Sequence, residues 1–376
     1  MRPESEAELA ETIASATGPF AVQGGGTRPV GKPVAGEVLS VSAMSGIELY
    51  EPGALTIVAK AGTPLAEVEA ALAAEGQRLA FEPMDHRGLL GTTGDPTIGG
   101  VVAANVSGPR RIQVGAARDH LLGVRFVDGS GTVIKNGGRV MKNVTGYDLV
   151  KLLAGSHGTL GVLTEVALKV LPKTDVTASV MIHGLSDRAA VAAMSKALGS
   201  PFEVTGAAHI AEAAGGQSVT FIRIEGFEAS VAYRLAQLTD LLAGQGEIVT
   251  LTDPDKVVGQ WRDIRDVKSH QGSGDDIWRL SVKPSDAPGI VARMPEGTRV
   301  SYDWGGGLIW AATAPGTDLR AAINPFSGHA TLIRASEATR AALPVFQPDP
   351  APLATITAGL RQKFDPRGIL NPGLMG

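Results

Sequence analysis

Apolar positions follow two spacings along the chain, and each spacing predicts a different kind of element. Recurrence every three or four residues predicts helices over residues 6–16, 63–75, 149–153, 187–198, 229–243 and 353–363. Runs rich in β-branched residues predict strands over residues 20–22, 38–41, 56–60, 121–127, 132–134, 162–170, 176–183, 219–225 and 247–251. Because strands and helices alternate anew after Pro172, the pattern predicts a second α+β domain beyond that residue.

Local residues predict where some elements begin and end. Thr63 is predicted to be the N-cap and Pro64 the first residue of a helix that ends at Gly76. The Asp-Gly-Ser-Gly sequence at residues 128–131 indicates a hairpin between two strands. The proline-rich residues 342–352 are predicted to form a linker before the last helix.

Three glycine-rich stretches lie in the first half of the chain. We call residues 23–28, 91–105 and 155–161 the first, second and third glycine loops. Glycine lets a backbone approach a ligand closely, and successive N–H groups in such a turn can bind an anion. The first loop could hold a pyrophosphate through the N–H groups of Gly24 to Thr27, with the Thr27 hydroxyl as a further donor.

Each loop by itself is equally compatible with a plain structural turn. Pro29 and Pro33 follow the first loop closely, and proline disfavours a helix there. The first loop therefore lacks the strand–turn–helix context of a Rossmann dinucleotide site. The order and spacing of the three loops together are more specific than any one of them.

Length and composition restrict the class of protein. A chain of 376 residues with 44% hydrophobic and 19% charged residues is long enough for two domains with their own cores. A formal net charge of −4 gives no reason to expect nucleic acid or an anionic membrane as a partner. The acidic N-terminus and the lack of a long apolar run predict a cytoplasmic protein with no signal peptide and no transmembrane segment.

The chain contains no cysteine. This excludes a disulfide, a thiolate nucleophile, a cysteine-ligated iron–sulfur cluster and a cysteinyl tether to a flavin within this chain. Electron transfer by the protein would therefore need an organic cofactor, and an iron–sulfur relay would lie in another chain.

No pair among the 7 histidines has the spacing of metal ligands, so no metal site is predicted. His157 lies in the third glycine loop, where it either contacts a cofactor or is an ordinary loop residue. His329 follows Ser327 and Gly328 and could face a substrate cavity or a partner, although a structural role explains it as well.

The roles of several other polar residues can each be interpreted in two ways. Asp303 is expected to be a structural carboxylate with a backbone partner rather than a base. Arg262 and Arg265 share a helix face, which could bind a substrate carboxylate or be a solvated surface. Arg110 and Arg111 are expected to be an exposed loop pair, with contact to a phosphate or a partner as the alternative.

The order of these motifs resembles a known family. Gly-Gly-Gly-Thr, then Thr-Ile-Gly-Gly, then Gly-Ser-His-Gly-Thr-Leu-Gly is similar to the PCMH-type FAD-binding domain of the vanillyl-alcohol-oxidase superfamily. The ending Phe-Asp-Pro-Arg-Gly-Ile-Leu-Asn-Pro-Gly resembles the hydroxyacid-dehydrogenase branch of that superfamily. Within that branch, Asp-Trp-Gly-Gly-Gly and Gly-His-Ala-Thr-Leu resemble the FAD-binding subunits of glycolate oxidases.

The resemblance implies an α+β fold with a two-subdomain FAD-binding domain at residues 1–172. It further implies an α+β cap domain at residues 173–350 and a C-terminal segment at residues 351–376 that packs back on the FAD domain. The cofactor contacts that it implies are Gly24, Gly25, Gly26, Thr27, Arg28, Gly94, Thr97, Ile98, Gly99, Gly100, Asn105, Gly155, Ser156, Gly158, Thr159, Gly161, Val162 and Asn371.

Two departures from the family pattern change the functional expectation. Thr27 stands where covalent members have histidine, so FAD is expected to be bound non-covalently. The His-Gly-Asp-Gly-Asn-x-x-His motif of active D-2-hydroxyacid dehydrogenases is missing from the sequence, and residues 303–310 occupy roughly its place. No catalytic base can therefore be named.

The expected function is that of an FAD-binding subunit of a glycolate (D-2-hydroxyacid) oxidase. A related flavoprotein subunit would carry most of the catalysis, and a cysteine-rich iron–sulfur subunit would be a further partner, through which the complex could associate with a membrane. The alternatives are a stand-alone FAD oxidase of another hydroxylated substrate and a scaffold subunit that has lost flavin.

Overall fold

The computed structural model describes residues 1–139, 146–213 and 216–376. The strands are β1 Phe20–Gln23, β2 Glu37–Ser40, β3 Ile47–Glu51, β4 Thr56–Lys60, β5 Gln77–Arg78, β6 Leu121–Val127, β7 Val133–Gly137, β8 Val162–Lys169, β9 Leu171–Pro172, β10 Val176–His183, β11 Gly206–Ile210, β12 Val219–Gly226, β13 Glu247–Leu251, β14 Asp276–Val282, β15 Arg299–Asp303, β16 Leu308–Thr313 and β17 Gly328–Arg334. The helices are α1 Glu6–Ala14, α2 Leu65–Ala74, α3 Arg87–Leu90, α4 Ile98–Ala103, α5 Arg111–Val114, α6 Ala117–His120, α7 Leu149–Leu153, α8 Asp187–Leu198, α9 Glu228–Leu242, α10 Pro254–Arg265, α11 Ala287–Val291, α12 Leu319–Ala322, α13 Glu337–Ala342 and α14 Ala351–Phe364. The predicted α+β architecture is confirmed.

The larger part of the N-terminal region is built on an antiparallel sheet in the order β3-β4-β8-β6-β7. Strands β4 and β8 are central and almost continuously buried, which matches their runs of β-branched and aliphatic residues. Helices α2 and α4 contribute Leu72, Val101 and Val102 to the same core. This sheet fixes the position of two glycine loops. The second loop contains α4, which packs in this core, and the third loop leads directly into β8.

A smaller layer is assembled from both ends of the chain. Strands β1 and β2 pair in parallel, and the other edge of β1 binds the C-terminal tail, where the Phe20 N–H donates to the Ile369 carbonyl oxygen at 2.7 Å. Leu9 and Ile13 of α1 pack on Leu39 and Leu370 in a separate core cluster. The return of the tail to the FAD-binding region is therefore confirmed.

The cap contains an antiparallel sheet in the order β13-β10-β12-β11-β15-β16-β14-β17. Side chains of β12 alternate between its two faces. Ile222 and Ile224 join the core to which α8 and α9 contribute, whereas Phe221 packs in the cluster that contains Trp261 of α10. Helices therefore cover the sheet on both faces.

Two local predictions are wrong for identifiable reasons. The Thr63 hydroxyl donates to the Lys60 carbonyl oxygen at 2.7 Å rather than capping α2, and Pro64 is the N-cap residue. The segment predicted to be a linker packs against β17, because the Leu332 N–H donates to the Val345 carbonyl oxygen at 2.8 Å and Val345 is buried.

A network of buried charges joins the N-terminal region to the cap. Arg110 of the N-terminal region binds the carboxylate of Glu225 in the cap and also contacts Glu82 at 3.3 Å. Arg223 of the cap reaches back to Glu82 at 2.8 Å, and Arg78 contacts Glu225 at 3.1 Å. The expectation that Arg110 is exposed is wrong: it is 3% exposed, because the cap covers it.

Burial would raise the pKa of Glu225, but Arg223, Arg110 and Arg78 outweigh this effect and hold the pKa well below its ordinary value. The pKa of Glu82 is lowered in the same way, against its burial, by Arg223 and Arg110. A carboxyl group with a depressed folded-state pKa stabilises the fold above its unfolded pKa of about 4.3, and this contribution is lost as the pH falls.

Removal of the Glu225 charge is predicted to weaken this junction. We expect E225Q to lower the free energy of unfolding at neutral pH by about 3–5 kcal/mol, since it leaves buried arginines without their counter-ion. The loss should shrink as the pH falls below about 4, where glutamate is protonated in the unfolded chain. Urea unfolding across this pH range measures both effects.

The matched control is E203Q. Glu203 also pairs with a buried arginine, Arg234, at 3.2 Å, but its side chain is 73% exposed, so the substitution should cost less than about 1 kcal/mol. Equal unfolding curves for E225Q and E203Q would contradict the proposed importance of the network.

Candidate functional site

A cavity of about 380 Å³ lies where the three glycine loops meet. Strand β1 leads into the first loop, the second loop contains α4, and the third loop precedes β8. The C-terminal tail supplies Asn371 and Leu374 to the wall, and α13 supplies Glu337 and Arg340. Five segments that are separate in sequence thus enclose one cavity.

Most of the predicted cofactor contacts line this cavity. Those on its wall are Gly24, Gly25, Gly26, Thr27, Arg28, Thr97, Gly99, Gly100, Gly158, Gly161, Val162 and Asn371. The predicted residues that the described wall does not include are Gly94, Ile98, Asn105, Gly155, Ser156 and Thr159.

Several of the residues off the wall shape the loops instead. Ile98 is fully buried in the core at the start of α4. The Ser156 hydroxyl donates to the Leu153 carbonyl oxygen at 2.9 Å, and the Thr159 hydroxyl donates to the Ser156 carbonyl oxygen at 2.7 Å. These bonds fix the turn that brings Gly158 to the wall.

The first and second glycine loops touch through their backbones. A Cβ atom on Gly25 would lie 1.7 Å from the Asp95 carbonyl oxygen, and one on Gly24 would lie 2.3 Å from the Thr97 hydroxyl oxygen. A larger residue at either position would push the loops apart, so glycine is required here for close approach as well as for flexibility.

The N–H groups of residues 24–28 form the chemical feature of this cavity. Within the described parts of the chain, none of them donates to a backbone or side-chain acceptor. A run of N–H groups without protein acceptors is costly unless it binds water or an anion, and it resembles the backbone sites that bind phosphate. We call residues 24–28 the anion cradle.

Positive side chains surround the anion cradle. Arg28, Lys32 and Arg340 line the cavity. Among the described residues of the wall, the carboxylate is that of Glu337. Arg28 donates to the Gly100 carbonyl oxygen at 2.9 Å. Burial lowers the pKa of Arg28 to about 10, so this guanidinium remains charged at neutral pH.

His157 and Asn371 hold the third glycine loop against the tail. The Asn371 side chain accepts from the Val22 N–H at 2.7 Å and donates to the His157 carbonyl oxygen at 2.8 Å. Burial, helped by Arg28, lowers the pKa of His157 to about 4, so its ring is neutral at pH 7. His157 lies on the cavity wall. Its ring meets the Phe346 ring edge-on, with the two ring centroids 5.0 Å apart.

A second polar cluster lies between the N-terminal region and the cap. Trp304 donates through its indole nitrogen to the Gly108 carbonyl oxygen at 3.0 Å. The guanidinium carbons of Arg111 and Arg279 lie 4.3 Å and 5.1 Å from the centroid of the Trp304 ring. The expectation that Arg111 belongs to an exposed pair is therefore wrong, because its guanidinium packs on this ring.

Asp303 accepts a hydrogen bond from the Trp304 N–H at 2.7 Å, which confirms the expected backbone partner. Burial raises its pKa to about 7, against the opposing effects of the Trp304 N–H, Arg223 and Arg279, and Glu82 adds to the rise. The carboxyl group is consequently near half-protonation at neutral pH.

The remaining candidates do not join either site. Arg262 is exposed, whereas Arg265 pairs with Asp266 at 2.8 Å, and His329 is exposed on β17. The described residues contain no group of histidine, aspartate and glutamate side chains that could hold a metal ion. Among them, too, no helix has the length and apolar character needed to cross a bilayer.

The cavity wall also contains residues that the sequence did not indicate, among them Lys32, Glu337, Arg340 and Leu374. Lys32 and Leu374 each lie within a few residues of a recognised motif, so proximity could have indicated them. Glu337 and Arg340 carry no such signal, because α13 follows the last strand of the cap sheet and reaches the cavity only through the tertiary fold.

The fold and cavity define a class of flavoproteins. Residues 1–137 match the family described as "FAD binding domain". The whole fold is similar to that of an alkyldihydroxyacetonephosphate synthase, with a TM-score of 0.71 at 17% sequence identity over 99% of this chain and 76% of that chain. The protein therefore has an FAD-binding domain within the predicted α+β fold.

Closer relatives specify the family. The chain is 36% identical to "Glycolate oxidase subunit GlcE" of Escherichia coli (strain K12), over 95% of this chain and 92% of that protein. It is also 43% identical to "Glycolate oxidase subunit GlcD" of Bacillus subtilis (strain 168), over only 21% of this chain and 17% of that protein. The chain belongs to the family of glycolate oxidase subunit GlcE.

A methyl group on Gly25 is predicted to open the anion cradle. G25A places a Cβ atom against the Asp95 carbonyl oxygen, so we expect the substituted chain to lose bound FAD and to unfold at a lower temperature. Flavin absorbance per chain and a thermal melt measure these effects. The control is G53A, since a Cβ atom on Gly53 meets nothing within 4 Å. Flavin retention by G25A at the level of G53A would contradict the prediction.

Asp303 is predicted to make the fold less stable as the pH rises. Its folded-state pKa is about 7, whereas an unfolded aspartate titrates near about 3.9, so stability falls across this interval by up to about 1.4 kcal/mol for each pKa unit. D303N should remove this loss and gain stability relative to the unsubstituted chain between about pH 4 and pH 7.

Urea unfolding at several pH values tests the sign of this prediction. The control is D275N, because Arg299 lowers the pKa of Asp275 through a hydrogen bond and the substitution should therefore act in the opposite direction. If the pH dependence of the free energy of unfolding were the same in D303N as in the unsubstituted chain, the prediction that burial raises the pKa of Asp303 would be wrong.

Proposed function

We propose that this protein is a non-covalent FAD-binding subunit of an oxidase of glycolate or a related D-2-hydroxyacid. The observation that carries this proposal is the anion cradle, whose free N–H groups lie in a cavity lined by Arg28, Lys32 and Arg340. A dinucleotide cofactor with a pyrophosphate at its centre matches these donors in charge and in hydrogen bonding.

Most of the predicted contacts receive a role in this proposal. The anion cradle would bind the pyrophosphate, and Thr97, Gly99 and Gly100 would lie along the pyrophosphate and the ribityl chain. Residues 155–162 would contact the adenosine half and the flavin, and Asn371 would hold the tail beside them. When bound, FAD would accept a hydride from the hydroxyl-bearing carbon of the substrate.

Non-covalent attachment is supported by Thr27. This residue stands at the position where covalent relatives carry histidine, and it lies on the cavity wall. The chain also has no cysteine for a thioether bond. His157 is the histidine on the described wall, and its ring packs against Phe346.

We assign the main oxidation step to a related flavoprotein subunit, with a cysteine-rich iron–sulfur subunit as the onward electron acceptor. The names of the two relatives support an assembly, since both are called subunits of glycolate oxidase. The described residues of this chain hold no candidate metal centre, and Asp303 is engaged by the Trp304 N–H.

We divide the chain into an FAD-binding domain at residues 1–172, a cap domain at residues 173–350 and a C-terminal segment at residues 351–376. Sheet topology supports this division, because the strands of the cap sheet begin at Val176 and end at Arg334. The proposed location is the cytoplasm, with any attachment to a membrane made through partner subunits.

A stand-alone oxidase of another hydroxylated anion is the second candidate. One observation favours it: Arg111 and Arg279 contact Trp304, and neither guanidinium has a carboxylate partner among the described residues. Two such cations between the N-terminal region and the cap could bind a substrate carboxylate in this chain itself.

An absorption spectrum distinguishes these functions. We expect the chain purified alone to show the bands of oxidised FAD, which acid precipitation should release into solution because the attachment is non-covalent. Anaerobic glycolate should leave the bands unbleached until the related flavoprotein subunit is added. Bleaching of the isolated chain would favour the stand-alone oxidase, and a chain that binds no flavin after FAD is supplied would refute the proposed function.

A further inference from the structure

A segment that follows the last strand of the cap sheet folds back over the cavity. We call residues 335–347 the strap, which contains α13 between β17 and the proline-rich stretch. The strap is held to β17 by the bond from the Leu332 N–H to the Val345 carbonyl oxygen at 2.8 Å. The strap also meets the cavity, where the ring centroids of Phe346 and His157 lie 5.0 Å apart.

Arg340 is the residue by which the strap reaches the first glycine loop. Its Nη1 atom donates to the Pro29 carbonyl oxygen at 3.0 Å and to the Gly31 carbonyl oxygen at 3.4 Å. These acceptors lie immediately beyond the anion cradle, and Arg340 is itself part of the cavity wall. The guanidinium is thereby fixed to the first glycine loop, and Arg340 lines the same cavity as residues 24–28.

The hydrogen-bonding capacity of Arg340 is only partly used. Its Nε atom is buried and has no partner, and no bond of its Nη2 atom is made to the described residues. No carboxylate of the described chain lies within ion-pair distance of it, including Glu337 one turn away. A buried, charged donor of this kind is unfavourable until an anion satisfies it.

The other cations of the wall are less suited to an anion. Arg28 directs its guanidinium to the Gly100 carbonyl oxygen and to His86, at 2.9 and 3.4 Å. Lys32 has a flexible stem and no side-chain bond that would fix it among the described residues. Arg340 combines a fixed position with free donors, and a planar guanidinium can make two parallel bonds to phosphate oxygens.

We propose that Arg340 binds the pyrophosphate of FAD and so fastens the strap to the first glycine loop when the cofactor is present. This inference rests on the proposed function, since it requires the cavity to hold FAD. The phosphate charge would be shared between the backbone donors of the anion cradle and one side chain of the segment that follows the cap sheet.

The affinity of the apoprotein for FAD tests this inference without any measure of activity. Quenching of FAD fluorescence gives the Kd for the unsubstituted chain, R340M and R340K. Loss of a charge-assisted bond to phosphate should raise the Kd of R340M about tenfold to a hundredfold. R340K keeps the charge without the planar fork, so its Kd should lie between the two.

The matched control is R293M. Arg293 also donates to backbone carbonyl oxygens, those of Pro325 at 2.8 Å and Gly289 at 3.3 Å, but it does not line the cavity. Its Kd for FAD should equal that of the unsubstituted chain. Thermal melts of the apoproteins will show whether R340M retains its fold.

Salt separates a phosphate contact from a purely structural one. Added salt screens charge interactions, so the Kd of the unsubstituted chain should rise with ionic strength more steeply than that of R340M. A Kd and a salt dependence of R340M equal to those of R293M would overturn the role of Arg340. If R340M does not fold, R340K provides the test. A Kd of R340K for FAD equal to that of the unsubstituted chain would then overturn the role of Arg340.

Failure of the proposed function would look different. In that case the unsubstituted apoprotein would not bind FAD at all, and every variant would share this result. Binding by the unsubstituted chain and by R340M with equal affinity would instead leave the FAD function intact and remove only Arg340 from the site.

Discussion

The cavity depends on direct backbone contact between the first and second glycine loops. Gly24 and Gly25 approach Thr97 and Asp95 so closely that no side chain fits between them. In this arrangement the N–H groups of residues 24–28 have no acceptors among the described residues, and residues 24–28 line one side of the cavity. The same constraint thus explains both the glycine content of the loops and the affinity for an anion that their geometry implies.

A second constraint is electrostatic and sets the position of the cap. Buried Arg110 and Glu225 come from different sides of the junction, and each would be strongly unfavourable if the cap moved away and left it unpaired in a low-dielectric site. Trp304 adds a directional bond to Gly108 at the same junction. The strap begins where the cap sheet ends, so the placement of the cap also determines where Arg340 meets the first glycine loop.

Local patterns predicted much of the fold and the motif-bearing part of the site. Strand β10, strand β13 and helix α8 match their predicted bounds, because each has a strong apolar period of its own. The glycine loops were found because close backbone approach leaves a mark in composition. The buried state of Arg110 and the packed state of the strap could not be found in this way, since each depends on a partner more than a hundred residues away.

The cavity wall is assembled from segments that are far apart in sequence, and this has a thermodynamic consequence. The wall combines the three glycine loops, the C-terminal tail and α13. Asn371 and the backbone bonds of the tail to Phe20 tie the tail to the other segments, and Arg340 ties α13 to the first glycine loop. A ligand that contacts all of these segments binds only when they are assembled. Its binding free energy therefore stabilises the assembled arrangement over any state in which the tail or the strap has detached. On this argument the cofactor is part of the tertiary structure, and the two ends of the FAD-binding region are held together partly through it.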